Sequence, residues 1–194
     1  QMCIRDSYKT ERLILKQLNE NDAQLVLDYY IRNKKFLAEW ETQRNEDFYT
    51  LEVQRDSLFN DVESHRKGAS LRLWVFKKED ESKVIGCVSF QNIVRSIMQS
   101  CILGYKSDVS EAGKGFMTEA LHKAIEIVFT EYNLHRVEAP VMPKNEASIK
   151  VLKKLGFSEE GITKQMLKVN GVWEDHIRWS LLNPVDEKRR QNAN

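Results

Sequence analysis

Three apolar-rich runs, at 71–76, 84–94 and 102–107, are separated by connections too short for a crossover helix. That spacing favours antiparallel pairing and commits the middle of the chain to a sheet. The third run leads into Gly113-Lys114-Gly115, and a long helix follows at once, to about Tyr132. Met117, Ala120, Leu121, Ala124, Ile125 and Val128 give that helix a single apolar face. A helix with one apolar stripe needs a sheet or another helix to bury it.

The flanking segments fit around this centre. Residues 13–18 read as a short strand, and Asn21 or Asp22 is placed to cap the helix carrying Leu25, Val26, Tyr29 and Tyr30. Residues 50–66 form a second helical stretch with Gly68 as its stop. A strand at 137–141 precedes a helix at 147–155 that Gly156 ends. Strands at 157–169 and 172–182 then flank Asn170-Gly171, a strong hairpin signal. The order is strand, two helices, three-strand meander, helix, strand, helix, hairpin: an α+β chain with helices on the faces of a mixed sheet.

Composition narrows the function. The 194 residues carry 30 Lys and Arg against 29 Asp and Glu, which excludes a strongly basic nucleic-acid coat and an acidic tail. The short basic run Lys188-Arg189-Arg190 does not amount to a nucleic-acid stripe, so no direct nucleic-acid partner is expected. No apolar run approaches about 18 residues, and no membrane association is expected. Cys3, Cys87 and Cys101 lack disulfide or zinc spacing; Cys87 and Cys101 read as small buried hydrophobes in a cytoplasmic protein. No metal site is expected, since His65, His122 and His135 lack ligand spacing. One domain is expected over 8–183. Residues 1–7, where Gln1 precedes Met2, are set aside as a non-native or disordered start, and 184–194 as a frayed tail.

The chemical signals begin at the strand–turn–helix junction. Glycines allow a tight bend and close approach of backbone to a ligand. The first N–H groups of a helix have no internal partners, and the helix dipole adds positive character, so an anion such as a pyrophosphate fits there. Read alone, Gly-Lys-Gly is equally an ordinary turn; the P-loop and dinucleotide spacings are both absent. Met142-Pro143-Lys144-Asn145-Glu146-Ala147-Ser148 opens a second helix directly after a strand, where simple capping by Asn145 accounts for the pattern.

Taken together, these segments resemble the GNAT superfamily of acetyl-CoA-dependent N-acetyltransferases, over about residues 10–182. The superfamily's pyrophosphate motif, R/Q-x-x-G-x-G/A, is matched here by Ala112-Gly113-Lys114-Gly115-Phe116-Met117, with Ala112 and Met117 departing from it. Asn145-Glu146-Ala147-Ser148 and Lys154-Leu155-Gly156-Phe157 match the family's asparagine motif and helix end. Tyr29-Tyr30, Trp40-Glu41, Leu103-Gly104-Tyr105 and the segment from Asn170 to His176 are similar to the RimJ-like ribosomal-protein-alanine branch.

The resemblance implies a GNAT fold: a three-layer arrangement with a mostly antiparallel sheet of six or seven strands, helices on both faces and a splayed central strand pair. It implies that Tyr105, Lys106 and Ser107 lie along the pantetheine arm. The turn and helix start, Gly113, Lys114, Gly115, Phe116, Met117 and Thr118, hold the pyrophosphate. Asn145 bonds the pantetheine, and Ser148 sits by the thioester sulfur as a proton donor. The implied partners are acetyl-CoA and a protein N-terminus beginning with Ala or Ser, such as that of a small-subunit ribosomal protein, with the enzyme a monomer or homodimer. A small-molecule amine as acceptor and a non-catalytic CoA- or ribosome-binding module stay open.

A peptide α-amine, with pKa about 7.7–8.0, is partly neutral at pH 7 and needs only a weak base. Leu167 stands where a related branch carries a glutamate. Glu41 is the candidate base, with a solvated surface carboxylate as the alternative; His176 and Asp175 read as structural hydrogen-bonding groups. Tyr105, Trp40 and Trp173 read as core or pocket walls. Residues 37–63 contain eight acids and two arginines, a net −6, which either steers a basic peptide to the site or forms a solvated helix face.

Overall fold

The computed structural model describes residues 7–186. The expectations for residues 1–6 and 187–194 lie outside the described residues. Ser7 opens β1 (Ser7–Lys9), which pairs antiparallel with β2 (Leu13–Lys16), and residues 184–186 are helical.

Asn19 closes a 3-10 turn through a capping box in which the Asp22 carboxylate accepts from the Asn19 N–H at 3.0 Å. The helix α1 (Ala23–Leu37) follows with no side-chain cap; Asp22, expected to cap it, is engaged in the box instead. Thr50 caps α2 (Leu51–Arg66), and Gly68 at φ +69° ends it. The meander is β3 (Leu71–Lys77), β4 (Asp80–Val94) and β5 (Ser100–Ser107). After it come α3 (Phe116–Thr130), β6 (Arg136–Val141), α4 (Glu146–Lys154), β7 (Ser158–Val169) and β8 (Val172–Leu182). Asn170 and Gly171 both take positive φ, as a tight hairpin turn requires.

All eight strands form one sheet, ordered β1-β2-β3-β4-β5-β6-β8-β7. The sheet has one strand more than expected: β1 lies at the edge of the stretch set aside, and its buried Tyr8 hydrogen-bonds Glu131 at the end of α3 (2.7 Å). Strand alternation sorts the core to two faces. Leu71, Leu73 and Val75 face α3 and α4 together with Leu121, Val128 and Leu152. Trp74 and Phe76 face α1 and α2 with Tyr29, Tyr30 and Leu58. Burial pushes the thiol of Cys87 up to about 11 and that of Cys101 up to about 12, in keeping with small core residues. Among the described residues no helix is long and apolar enough to cross a membrane.

One irregularity positions the site. β5 and β6, the parallel pair, are bonded only from Ser100–Ile102 to Arg136–Glu138. Beyond Ile102 the two strands part, leaving the β6-facing backbone of residues 103–107 without a strand partner.

Candidate active site

The parted strands open a cleft of about 820 Å³ that reaches both sides of the sheet. Alternation along β5 divides its side chains. Tyr105 packs on the α3–α4 side, its hydroxyl donating to the Ser148 carbonyl (3.2 Å). Lys106 points to the α1–α2 side, where its ammonium donates to the Tyr30 hydroxyl (3.2 Å) and to Glu41.

On the first side, Gly113 and Gly115 adopt φ +78° and +81°. Gly115 is the N-cap of α3 and offers no side-chain cap. The N–H groups of Phe116, Met117 and Thr118 therefore have no helical acceptor and meet the cleft. Met117 replaces a small residue of the motif, and the fold accommodates it on β4: a Cβ on Gly86 would lie 2.8 Å from the Met117 Cε. Ala112 takes the place of the motif's Arg or Gln, while Arg12 approaches the same turn from the sheet edge. Its guanidinium donates to the Lys114 carbonyl (3.3 Å), pairs with Glu119 (2.7 Å) and covers the Phe116 ring at 4.5 Å.

The loop from 108 to 115 is held from beneath by a fully buried carboxylate. Asp108 accepts from Arg32 (2.7 Å), Asn33 (3.3 Å), and the N–H and hydroxyl of Ser110 (2.9 and 2.7 Å). Asn33 in turn accepts from the Val109 N–H (2.9 Å). Burial acts to raise the Asp108 pKa, but the Ser110, Arg32 and Asn33 hydrogen bonds outweigh it and bring it to about 2.

At the start of α4, Asn145 Oδ1 accepts from the Ser148 N–H at 3.1 Å, a cap that turns Ser148 into the cleft. The Asn145 amide nitrogen bonds no described residue, and the Ser148 side chain lies within hydrogen-bonding reach of the Tyr105 hydroxyl. A strip of backbone without a strand partner, a helix N-terminus at one end and Ser148 beside it make a site for an extended ligand ending in an anion.

The family model for the "Acetyltransferase (GNAT) domain" matches residues 12–158. The chain belongs to the GNAT acetyltransferase family. This acetyltransferase is 38% identical over 180 residues to the "Probable N-acetyltransferase YjcK" of Bacillus subtilis, covering 93% of this chain and 99% of that one. It is 35% identical to the "[Ribosomal protein uS5]-alanine N-acetyltransferase" of Escherichia coli, covering 90% of each. Among solved structures, the ribosomal-protein-S5-alanine acetyltransferase of Vibrio fischeri superposes with a TM-score of 0.86 at 38% identity, over 91% of this chain and 96% of that one. Mycobacterium smegmatis RimJ in complex with CoA-disulfide superposes with a TM-score of 0.83 at 26% identity, over 89% of this chain and 83% of that one.

On its other side the acetyltransferase builds the cleft from side chains. Glu41 bonds Lys106 through one carboxylate oxygen and Arg44 through the other (2.8 and 3.1 Å). The Arg44 guanidinium lies over the Phe48 ring at 3.8 Å. Burial acts to raise the Glu41 pKa, but the charges and hydrogen bonds of Lys106 and Arg44 outweigh it, and the net shift is downward. A carboxylate held by two cations is a poor proton acceptor, which weighs against Glu41 as the base. The β7–β8 hairpin tip closes over this side: the Asn170 N–H donates to the Glu41 carbonyl (3.0 Å).

Every expected site residue but one lines the cleft. Lys114 does not; its ammonium turns away to Glu111 (3.0 Å), which Lys77 also holds (2.9 Å). Trp40 and Tyr105 are cleft walls, whereas Trp173 is 58% exposed and is neither core nor wall. The acidic segment is half compensated by cations: Glu41, Glu46, Asp61 and Glu63 are paired, with Lys34 serving Glu46 and Arg72 serving Asp61. Glu39, Asp47, Glu52 and Asp56 are exposed and have no ion-pair partner among the described residues. Sequence reading missed Asp108, Gly86 and Arg12. Ser110 bonds Asp108 locally, but Arg32 and Asn33, and the partners of Gly86 and Arg12, lie tens of residues away in the chain.

Proposed function

We propose that this acetyltransferase moves an acetyl group from acetyl-CoA to the α-amine of a protein beginning with Ala or Ser, a ribosomal protein being the expected acceptor. The observation that supports it most is the parting of β5 and β6 directly above the uncapped α3 N-terminus. It offers unpaired backbone along one wall and free N–H groups at its end, the two features an acyl-pantetheine with a pyrophosphate needs. The acceptor assignment rests on the likeness to the uS5-alanine enzyme over nine-tenths of both chains.

In this reading the N–H groups of Phe116–Thr118 take the pyrophosphate, and Asn145 orients the pantetheine through its free amide nitrogen. A β6-facing N–H of residues 103–107 stabilises negative charge on the thioester oxygen. The amine lone pair forms the new C–N bond as the C–S bond breaks, and the Ser148 hydroxyl protonates the departing thiolate. Glu41 organises Lys106 and Arg44 and aligns the acceptor. Monomer and homodimer, and a cytoplasmic place of action, are both compatible with it.

Incubation with acetyl-CoA and short peptides beginning with Ala, Ser, Met or acetyl-Ala, followed by product masses, tests the proposal. Acetylation confined to free Ala or Ser starts is the expected result. CoA release with a polyamine but with none of the peptides would move the acceptor to small-molecule amines.

A further inference from the structure

The cleft contains no carboxylate able to accept a proton readily. Glu41 is tied to Lys106 and Arg44, and Glu111 to Lys77 and Lys114. Tyr105 donates its hydroxyl to Ser148, and burial pushes its pKa up to about 12. The lysines and arginines of the cleft have no lone pair to offer while charged. The Tyr30 hydroxyl oxygen is engaged by the Lys106 ammonium (3.2 Å), and one titratable group is left.

His176 on β8 is 4% exposed and lines the cleft. Its Nδ1 lies 3.0 Å from the Glu174 carbonyl. A carbonyl only accepts, so Nδ1 carries the proton and the neutral ring holds its lone pair on Nε2. Nε2 bonds no described residue. β8 pairs with β6 from Val141↔Ile177 onward, so His176 sits one step past the end of β6, beside the turn that carries Met142 and Asn145. Its charged neighbours are themselves paired: Glu174 with Lys144 (2.7 Å), Asp175 with Lys164 (2.8 Å), and across the cleft Glu41 with Lys106 and Arg44. No neighbouring carboxylate competes for the ring as a bonding partner.

We infer that His176 is the general base, its Nε2 taking the proton that the acceptor amine loses as nitrogen bonds to the acetyl carbon. This rests on the acetyl-transfer reading above. The proton leaves nitrogen for Nε2 and passes from the imidazolium to solvent. The C–S bond breaks, the thiolate takes a proton from Ser148, and Ser148 is reprotonated from solvent. The products are the acetylated amine and free CoA thiol.

The deciding variant is His176→Asn, whose amide nitrogen can keep the bond to the Glu174 carbonyl while the Nε2 lone pair is lost. We expect kcat to fall about 100-fold, the low end for a general base acting on a weakly basic amine. The KM for acetyl-CoA should be unchanged, and the limb of the kcat/KM profile belonging to the histidine should disappear while the limb of the amine stays. A variant within about threefold of wild type at every pH, far short of a general-base contribution, overturns the inference. Nitrogen NMR of the His176 ring in the wild-type protein is a readout independent of turnover. Nδ1 protonated and Nε2 free is expected, and the opposite tautomer overturns it. Wild-type inactivity on every amine would defeat the acetyl-transfer reading, while the tautomer would still decide the ring.

Discussion

The two sides of the cleft are made of different material. On the α3–α4 side the ligand-facing groups are main chain: positive-φ glycines, the N–H groups of Phe116–Thr118 and the bare edge of β5. On the α1–α2 side they are long side chains locked together, Lys106, Glu41, Arg44 and Tyr30, under the tip of a hairpin. In the proposed reading the backbone side takes the acetyl-CoA that the family shares. Side-chain sites can be rebuilt to change the acceptor without disturbing the other half.

The separation can be broken from below. Asp108 joins the halves, since its partners Arg32 and Asn33 are on α1 while its loop leads to Gly113. Asp108→Ala should cost about 3 kcal/mol, the low end for an uncompensated buried partner because Arg32 can rehydrate. In a chain of this length that lowers Tm by roughly 6–12 °C, readable by calorimetry. The same carboxylate predicts an acid limit. Its folded pKa of about 2 lies below the unfolded value of about 3.9, so its contribution is present above that value and is lost as pH falls toward 2. Asp108→Asn should flatten the wild-type fall in stability across this window.

Gly115→Val probes the main-chain side. A Cβ there meets only Arg12 Nη2 at 3.6 Å, so crowding is minor and the cost comes from φ +81°. Strain of about 1–3 kcal/mol in the turn should raise the KM for acetyl-CoA by roughly 10- to 100-fold. Ser148→Ala should lower kcat about 10-fold, below the usual range for acid catalysis because a thiolate leaves readily. The smallest effect is expected at the rim. Replacing Glu39 and Asp47 with lysine should lower kcat/KM on a basic peptide about threefold and weaken its salt dependence, as rim charges do. Unchanged salt dependence would leave these acids as a solvated face.

The same division decided what the sequence disclosed. Asn170-Gly171, the Gly-Lys-Gly junction and the Asn145 cap act within a few residues, so their patterns are legible in a linear chain. The role of Glu41 was not. Its position in the cleft follows from Trp40-Glu41, but the cations that hold it come from Arg44 nearby and from Lys106, 65 residues on. Met117 looked like a defect in its motif until Gly86, on a neighbouring strand, supplied the room. His176 read as a structural hydrogen-bonding group, and its Nδ1 does meet the Glu174 carbonyl; what the sequence hides is that its strand borders the parted pair.

The central claim is that the two sides work independently. Steady-state kinetics over a matrix of acetyl-CoA and Ala-peptide concentrations, for Gly115→Val and Glu41→Gln together, tests it most directly. The account predicts that Gly115→Val raises the KM for acetyl-CoA alone, and that Glu41→Gln raises the KM for the peptide about 10-fold through the loss of a charged hydrogen-bond partner. A rise in both constants in both variants would contradict it.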